Sequence, residues 1–280
     1  MGAAAFLMAE FTGISYKNII ISAAVPALLY YFGVWTGVHL EAKRLGLKGL
    51  NREELPKILD VLKERGHLFL PLLAIVYLLV TGRSPMMAAL WAIISSVIVA
   101  MMRKNTRLTF MDIIEGLEQG ARGALGVIAA CACAGIIIGV VTKTGIGLKM
   151  GSALVDFAGG NLMLTLFFTM ITSIILGMGI PTTANYVITS TIAAPALLKM
   201  GVPVLAAHMF AFYFGIIADV TPPVALAAFA GAGIAKGDPI KTGLQASKLA
   251  IAAFLVPYIF VYNPALLLID VEAVGIITII

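Results

Sequence analysis

Long apolar runs recur along this chain, and short polar segments separate them. About 20 apolar residues form a helix that crosses the hydrocarbon core of a bilayer, where every backbone N–H and C=O must find a partner within the protein. The apolar runs that we assign to membrane segments on this basis include residues 19–40, 67–80, 85–102 and 240–262. Since the chain is 61% hydrophobic and only 12% charged, far from the balance of soluble domains, we predict an all-α integral membrane protein.

The basic residues indicate which side of the membrane the loops face. Lys and Arg concentrate in residues 41–66 and 103–122, whereas the intervening turn holds only Arg83. Both loops are therefore predicted to be cytoplasmic, and the first is predicted to contain a surface helix that begins at Asn51. The same rule explains the net charge of +5, so we do not predict binding to nucleic acid.

The stretch GMGIPTTANY, residues 177–186, interrupts an apolar run where a membrane helix would normally continue. Gly177 and Gly179 tolerate unusual backbone angles, and Pro181 suits the first turn of a new helix. The break gathers carbonyl groups of one helix end and N–H groups of the next around Thr182 and Thr183. Carbonyl ends favour a cation such as sodium, and helix N-termini favour a carboxylate.

A second break has the same ingredients in DVTPPV, residues 219–224. Asp219 and Thr221 supply oxygen atoms, while Pro222 and Pro223 end one half-helix and begin another. A single proline kink is most often structural, but two breaks with threonine beside proline are typical of secondary transporters that bind an ion and a solute at mid-depth. A carboxylate inside a membrane also indicates function.

The predicted architecture is a multi-helix bundle with a re-entrant helical hairpin and a discontinuous helix, in an inverted-repeat arrangement. Counting the predicted spans from the two cytoplasmic loops places Lys143 and Lys149 outside, against the rule, and Lys236 and Lys241 on the cytoplasmic side, in agreement with it. The second result requires the segments around GMGIPTTANY to enter and leave the membrane on the same side, as either a re-entrant hairpin or two full spans would do. The start of the chain, MGAAAFLMAEFTG, also resembles residues 225–237 near its end, and each is followed by a span that contains Val-Pro.

These patterns divide the chain into five predicted parts. They are a remnant of a first repeat (1–40), a cytoplasmic loop (41–66), transmembrane helices with an amphipathic connector (67–142), a second transport repeat (143–262) and the start of a truncated segment (263–280). Within the second repeat, the hairpin is 161–200, the broken helix is 203–235 and the last helix is 240–262. The chain is accordingly expected to be a C-terminal fragment of a longer permease.

At GMGIPTTANY and DVTPPVALAAFAGAGIA the sequence resembles the large membrane subunit of tripartite ATP-independent periplasmic (TRAP) transporters, of the TAXI type in which small and large subunits are often fused. The resemblance covers nearly the whole chain, including HLEAKRLGLKGLNREELP and VPYIFVYNPALLL. It implies a multi-pass, elevator-type importer of carboxylate-bearing organic solutes in the prokaryotic inner membrane, driven by sodium. The implied partners are an extracytoplasmic solute-binding protein, a small membrane subunit that is separate or fused upstream, and membrane lipid.

The resemblance also assigns roles to residues. Gly177, Gly179, Pro181, Thr182 and Thr183 match the tip of the family's second hairpin, and we include Asn185 of the same motif among the ion- or substrate-binding candidates. The residues that match the second broken helix are Asp219, Thr221, Pro222 and Pro223. One sodium site is expected between Gly177, Thr182, Asp219 and Thr221, with a proton as the alternative coupling ion and no other cofactor.

Two rival functions come from other classes. An intramembrane protease would need paired aspartates, a Ser/His pair or a His-Glu metal motif, and the sequence contains neither G-x-S-x-G nor H-E-x-x-H, so we do not predict an enzyme. A truncated assembly subunit without transport activity is the stronger alternative. His208, which lies within a membrane segment, is expected to be a buried, hydrogen-bonded structural residue rather than a proton relay.

Overall fold

The computed structural model describes residues 2, 4–47, 62, 66–81, 83, 85–102 and 106–269. The predicted surface helix from Asn51 and most of the predicted segment 263–280 lie outside these residues. In the described part every regular element is helical, which confirms the all-α prediction. The chain forms two compact units, one of Met1–Lys43 with Val127–Ile280 and one of Arg44–Gly126.

Thirteen α-helices are present in the described part of the chain. Their bounds are α1 Ala4–Thr12, α2 Tyr16–Arg44, α3 Leu70–Val80, α4 Pro85–Met101, α5 Phe110–Thr144, α6 Ile146–Phe157, α7 Leu162–Gly177, α8 Thr182–Ile192, α9 Ala194–Lys199, α10 Val204–Ile217, α11 Leu226–Ala235, α12 Pro239–Leu249 and α13 Ile251–Tyr262. Short 3₁₀ turns occupy Gly66–Phe69, Ala218–Val220 and Pro264–Leu267. Tyr16–Arg44 and the stretch Pro239–Tyr262 are long and apolar enough to cross a membrane by length and composition.

Helix α10 forms the centre of the larger unit. Eleven of its 14 residues are buried, including Phe210 and Phe214, as expected for a helix that is apolar on every side. It packs against α7, α8, α9 and α13. The core around it also contains Met8 and Ile19 from the start of the chain.

The helix that returns from the first break is interrupted at Ala193, which separates α8 from α9. Pro195 has no backbone N–H, so the carbonyl of Thr191 has no donor four residues ahead. Gly147 of α6 lies against this carbonyl, because a Cβ built at Gly147 would be 2.6 Å from Thr191 O. A glycine in α6 therefore lets a third helix pack closely against the kink.

In the smaller unit, α3 and α4 pack against each other. Their apolar side chains are mostly exposed, among them Tyr77 and Met86, while Ala88 and Val99 are buried at the contact. Exposed apolar side chains suit helices that face lipid. The amphipathic connector predicted before residue 120 continues without a break into the long helix α5.

Candidate functional site

The first break is a four-residue turn between α7 and α8. Helix α7 ends at Gly177, and α8 begins at Thr182 after Pro181, whose φ of −55° and ψ of 145° suit a position just before a helix. Gly179 has a φ of +73°, a conformation that favours glycine. Helix α7 packs against α8, so the two helices and the turn form a hairpin whose tip is Met178–Pro181. The last carbonyl groups of α7 and the first N–H groups of α8 lack partners within their own helices at this tip.

The second break separates α10 from α11. A 3₁₀ turn, Ala218–Val220, follows α10, and Thr221 then adopts extended backbone angles before the cis bond between Pro222 and Pro223. The Thr221 hydroxyl donates a 2.7 Å hydrogen bond to the carbonyl of Ile217. The Asp219 carboxylate is half-buried and forms no hydrogen bond or ion pair with any described residue. Its oxygen atoms are free to accept a cation or a donor.

The hairpin tip and the broken helix meet at three small or polar residues. Asn185 of α8 is fully buried, and its Nδ2 donates to Gly215 O of α10 at 2.8 Å and to Gly177 O of α7 at 3.4 Å. A Cβ at Gly177 would collide with Gly215 O, and a Cβ at Gly215 would collide with Asn185 Oδ1. The three helices therefore approach one another so closely that the positions of Gly177 and Gly215 have no room for a Cβ atom.

Contacts between the turns themselves extend this meeting point. A Cβ at Gly179 would lie 3.9 Å from Val224 Cγ1, and α7 contacts the 3₁₀ turn that contains Asp219. Thr182 is exposed, and its hydroxyl forms no hydrogen bond with the described residues. Thr183 is half-buried, Pro222 is half-buried and Pro223 is exposed. The structure thus brings Gly177, Gly179 and Asn185 to the second break, but no hydrogen bond joins Thr182, Asp219 and Thr221.

Unpartnered oxygen atoms are concentrated in this part of the molecule. Among the described residues, Asn185 Oδ1 is buried without a hydrogen-bond partner, and so are the hydroxyls of Thr169 and Ser173 on α7. Thr169, Ser173 and Gly177 follow one another at intervals of four, so they lie on one side of α7. Buried polar atoms without partners are uncommon, and a bound ion or an ordered water is one of the explanations for such atoms. Neutral oxygen atoms of this kind suit sodium.

Gly215, Thr169 and Ser173 were not among the site residues predicted from the sequence. The hydroxyl spacing on α7 was visible in the sequence, but Gly215 could be recognised only from the contact with Asn185. His208 is buried with its Nδ1 2.8 Å from Tyr186 Oη, the arrangement expected of a structural histidine. The described residues contain no group of three His, Cys, Asp or Glu side chains that could hold a metal ion, so a transition-metal centre has no support there.

A separate cleft of about 450 Å³ is lined by the start of α2 and the start of α10, including Asn18, Ser22 and Pro203. It shares no residue with either break. Its lining is largely apolar, and we assign no ion or solute to it.

Comparison with protein families identifies one match. The family described as "Tripartite ATP-independent periplasmic transporter, DctM component" matches residues 1–273, nearly the whole chain. No curated protein matches the sequence.

Proposed function

The chain belongs to the DctM family of tripartite ATP-independent periplasmic transporters, and on that premise we propose that it couples the import of carboxylate-bearing organic solutes to sodium. A DctM component is a membrane permease that works with the binding protein and the small membrane subunit of its transporter. Sodium coupling, the solute class, the TAXI type and a multi-pass location in the prokaryotic inner membrane belong to the proposal.

The observation that carries the sodium proposal is the meeting of the two helix breaks at Gly177, Asn185 and Gly215. Helix C-termini carry partial negative charge, and α7, which ends at Gly177, contacts the 3₁₀ turn of the second break. The Asp219 carboxylate and the Thr221 hydroxyl lie on that break, and the Thr182 hydroxyl begins the helix after the tip. Carboxylate, hydroxyl and carbonyl oxygens are the ligands that a hard cation prefers.

Sodium binding is coupled to solute binding if the cation needs oxygen ligands from both breaks. The hairpin tip and the broken helix are separate segments, so a sodium ion held between Gly177 and Asp219 links them. The ion thereby favours the arrangement in which the two segments are in contact. In that arrangement the first N–H groups of α8 are ordered, and they attract the carboxylate of the solute. Solute affinity then rises with sodium, and by linkage sodium affinity rises with solute.

Thermal unfolding of the purified chain in detergent tests the sodium proposal. At constant ionic strength, NaCl should stabilise the protein more than LiCl or KCl, and a site filled at 100 times its Kd contributes about 2.7 kcal/mol. Thr182→Ala and Thr221→Ala should weaken this sodium-specific stabilisation. Thr36→Ala is the matched control, because the Thr36 hydroxyl bonds only to its own helix, at Phe32 O.

Two results would refute the proposal. Equal stabilisation by all three cations would show that the breaks do not select sodium, and the assembly role without transport would become the better interpretation. A sodium effect that survives both threonine substitutions unchanged would place the ion elsewhere in the chain.

A further inference from the structure

The second break, between α10 and α11, is also held by a residue of a third helix, α12. Among its carbonyl groups, Ile217 O accepts the Thr221 hydroxyl from the same segment. Val220 O accepts instead from the hydroxyl of Ser247, which lies on α12, 27 residues further along the chain, at a distance of 2.9 Å. The same hydroxyl also lies 3.0 Å from Gly243 O of its own helix, so the two carbonyls share its one proton. The peptide group between Val220 and Thr221 is therefore held by a different helix. That peptide group joins Thr221 to Val220, the residue that follows Asp219.

Gly243 of α12 makes a second contact with the same break. It is buried, and a Cβ built there would lie 3.2 Å from Pro222 Cγ and 3.3 Å from Ala225 Cβ. Gly243 and Ser247 are four residues apart, so they lie on the same face of α12. The glycine lets the proline turn approach the helix backbone, while the serine donates to the carbonyl of Val220, two residues before Pro222.

A capped first turn and packing contacts hold α12, and with it the face that contains Gly243 and Ser247, in place. Asp238 caps the start of α12 by accepting from the N–H of Lys241 at 2.8 Å, and Pro239 occupies the first turn. Helix α12 packs against both α11 and the 3₁₀ turn Ala218–Val220, which are the two sides of the break. A capped helix that contacts both sides can hold the break at one set of backbone angles.

We infer that Gly243 and Ser247 are positioning residues, which fix the backbone of residues 218–225 and thereby set the affinity of the cation site. Neither residue touches the ion. Ser247 holds the peptide between Val220 and Thr221, and Gly243 sets how closely the proline turn lies. The inference concerning affinity rests on the proposed sodium site, whereas the inference concerning the backbone does not.

Hydrogen–deuterium exchange tests the backbone part without any ion. In the complete chain, Ser247→Ala should speed exchange of the Thr221 and Ala225 amides, which donate to Ala218 O and Thr221 O, about fivefold, the factor that corresponds to one lost hydrogen bond. Ser95→Ala is the matched control, because the Ser95 hydroxyl donates only to Ala92 O within its own helix. Unchanged exchange in Ser247→Ala, relative to Ser95→Ala, would overturn the inference.

A sodium titration followed by thermal unfolding tests the affinity part. The NaCl concentration for half-maximal stabilisation should rise about fivefold in Ser247→Ala, and Ser247→Thr, which keeps the hydroxyl, should restore it. A purely structural role would lower the unfolding temperature at every salt concentration and leave this midpoint unchanged, which would overturn the affinity part. If the unsubstituted chain shows no sodium-specific stabilisation, the sodium proposal fails while the exchange result still decides the role of α12.

Discussion

Substitution of Gly215 by alanine tests the meeting of the two breaks most directly. The new Cβ would collide with Asn185 Oδ1 and would lie 3.2 Å from Thr189 Cγ2. Asn185 has to move, and the 2.8 Å hydrogen bond from its Nδ2 to Gly215 O is lost or lengthened. Overpacking of a close-packed core costs about 1–3 kcal/mol, and a lost buried hydrogen bond adds about 1 kcal/mol.

A second glycine in an apolar helix provides the control. At Gly139 of α5, no described atom lies within 4 Å of the Cβ position, so alanine meets no steric resistance there. Helix propensity favours alanine over glycine by about 1 kcal/mol, and this gain applies to both variants. Gly215→Ala is therefore expected to be about 2–4 kcal/mol less stable than Gly139→Ala.

The assay is thermal unfolding in detergent, with intrinsic fluorescence as the signal. At about 2–4 °C per kcal/mol for a chain of this size, Gly215→Ala should unfold at least about 4 °C below Gly139→Ala. It should also lose sodium-specific stabilisation, because the tip and the broken helix are pushed apart. Equal unfolding temperatures for the two variants would refute the close approach of α7, α8 and α10.

Three further outcomes are expected. Gly147→Ala should destabilise the protein by about 1–3 kcal/mol without changing sodium selectivity, because its Cβ would lie 2.6 Å from Thr191 O, far from the breaks; a change in selectivity would contradict this. Tyr186→Phe should cost about 1 kcal/mol in thermal unfolding through the lost hydrogen bond to its buried histidine partner, and an unchanged unfolding temperature would contradict it. Hydrogen bonds from the hydroxyl and N–H of Thr109 lower the pKa of Asp112 at the start of α5. The ionised carboxylate therefore stabilises this helix end fully at a pH above the ordinary pKa of aspartate. This stabilisation is lost as the pH falls through the lowered pKa of Asp112. The protection of the first-turn amides of α5, measured relative to the intrinsic exchange rate at each pH, should therefore fall only in acid, whereas Asp112→Asn should show no such pH dependence.

The two breaks could be predicted because their causes are local. Glycine and proline act on the backbone wherever they stand, so Gly179 and Pro181 indicated a turn and Pro222 indicated an interrupted helix without any knowledge of neighbours. Pro195 acts by the same rule, but its effect was not predicted, and the structure divides the second helix of the predicted hairpin 161–200 at Ala193.

The contacts between the breaks could not be predicted in this way. The hydrogen bond from Asn185 to Gly215 joins residues 30 positions apart, and the bond from Ser247 to Val220 joins residues 27 positions apart. Such pairs depend on how helices pack, and a single sequence does not determine which glycine faces which side chain. Asn185 was a candidate because of its motif, but its role as the link between three helices comes from tertiary structure alone.

The burial of α10 has a consequence for how the protein enters the membrane. Its 14 residues span only about 21 Å, less than the hydrocarbon thickness of about 30 Å, and α8 is shorter still. Neither helix can cross the bilayer as an independent segment, and their unpaired ends are costly in lipid until other helices cover them. Since α13 covers α10 and is synthesised after it, the insertion of α10 is complete only when the later helix arrives. Biogenesis of this unit is therefore a cooperative step, in which the two interrupted elements enter the membrane together with their neighbours.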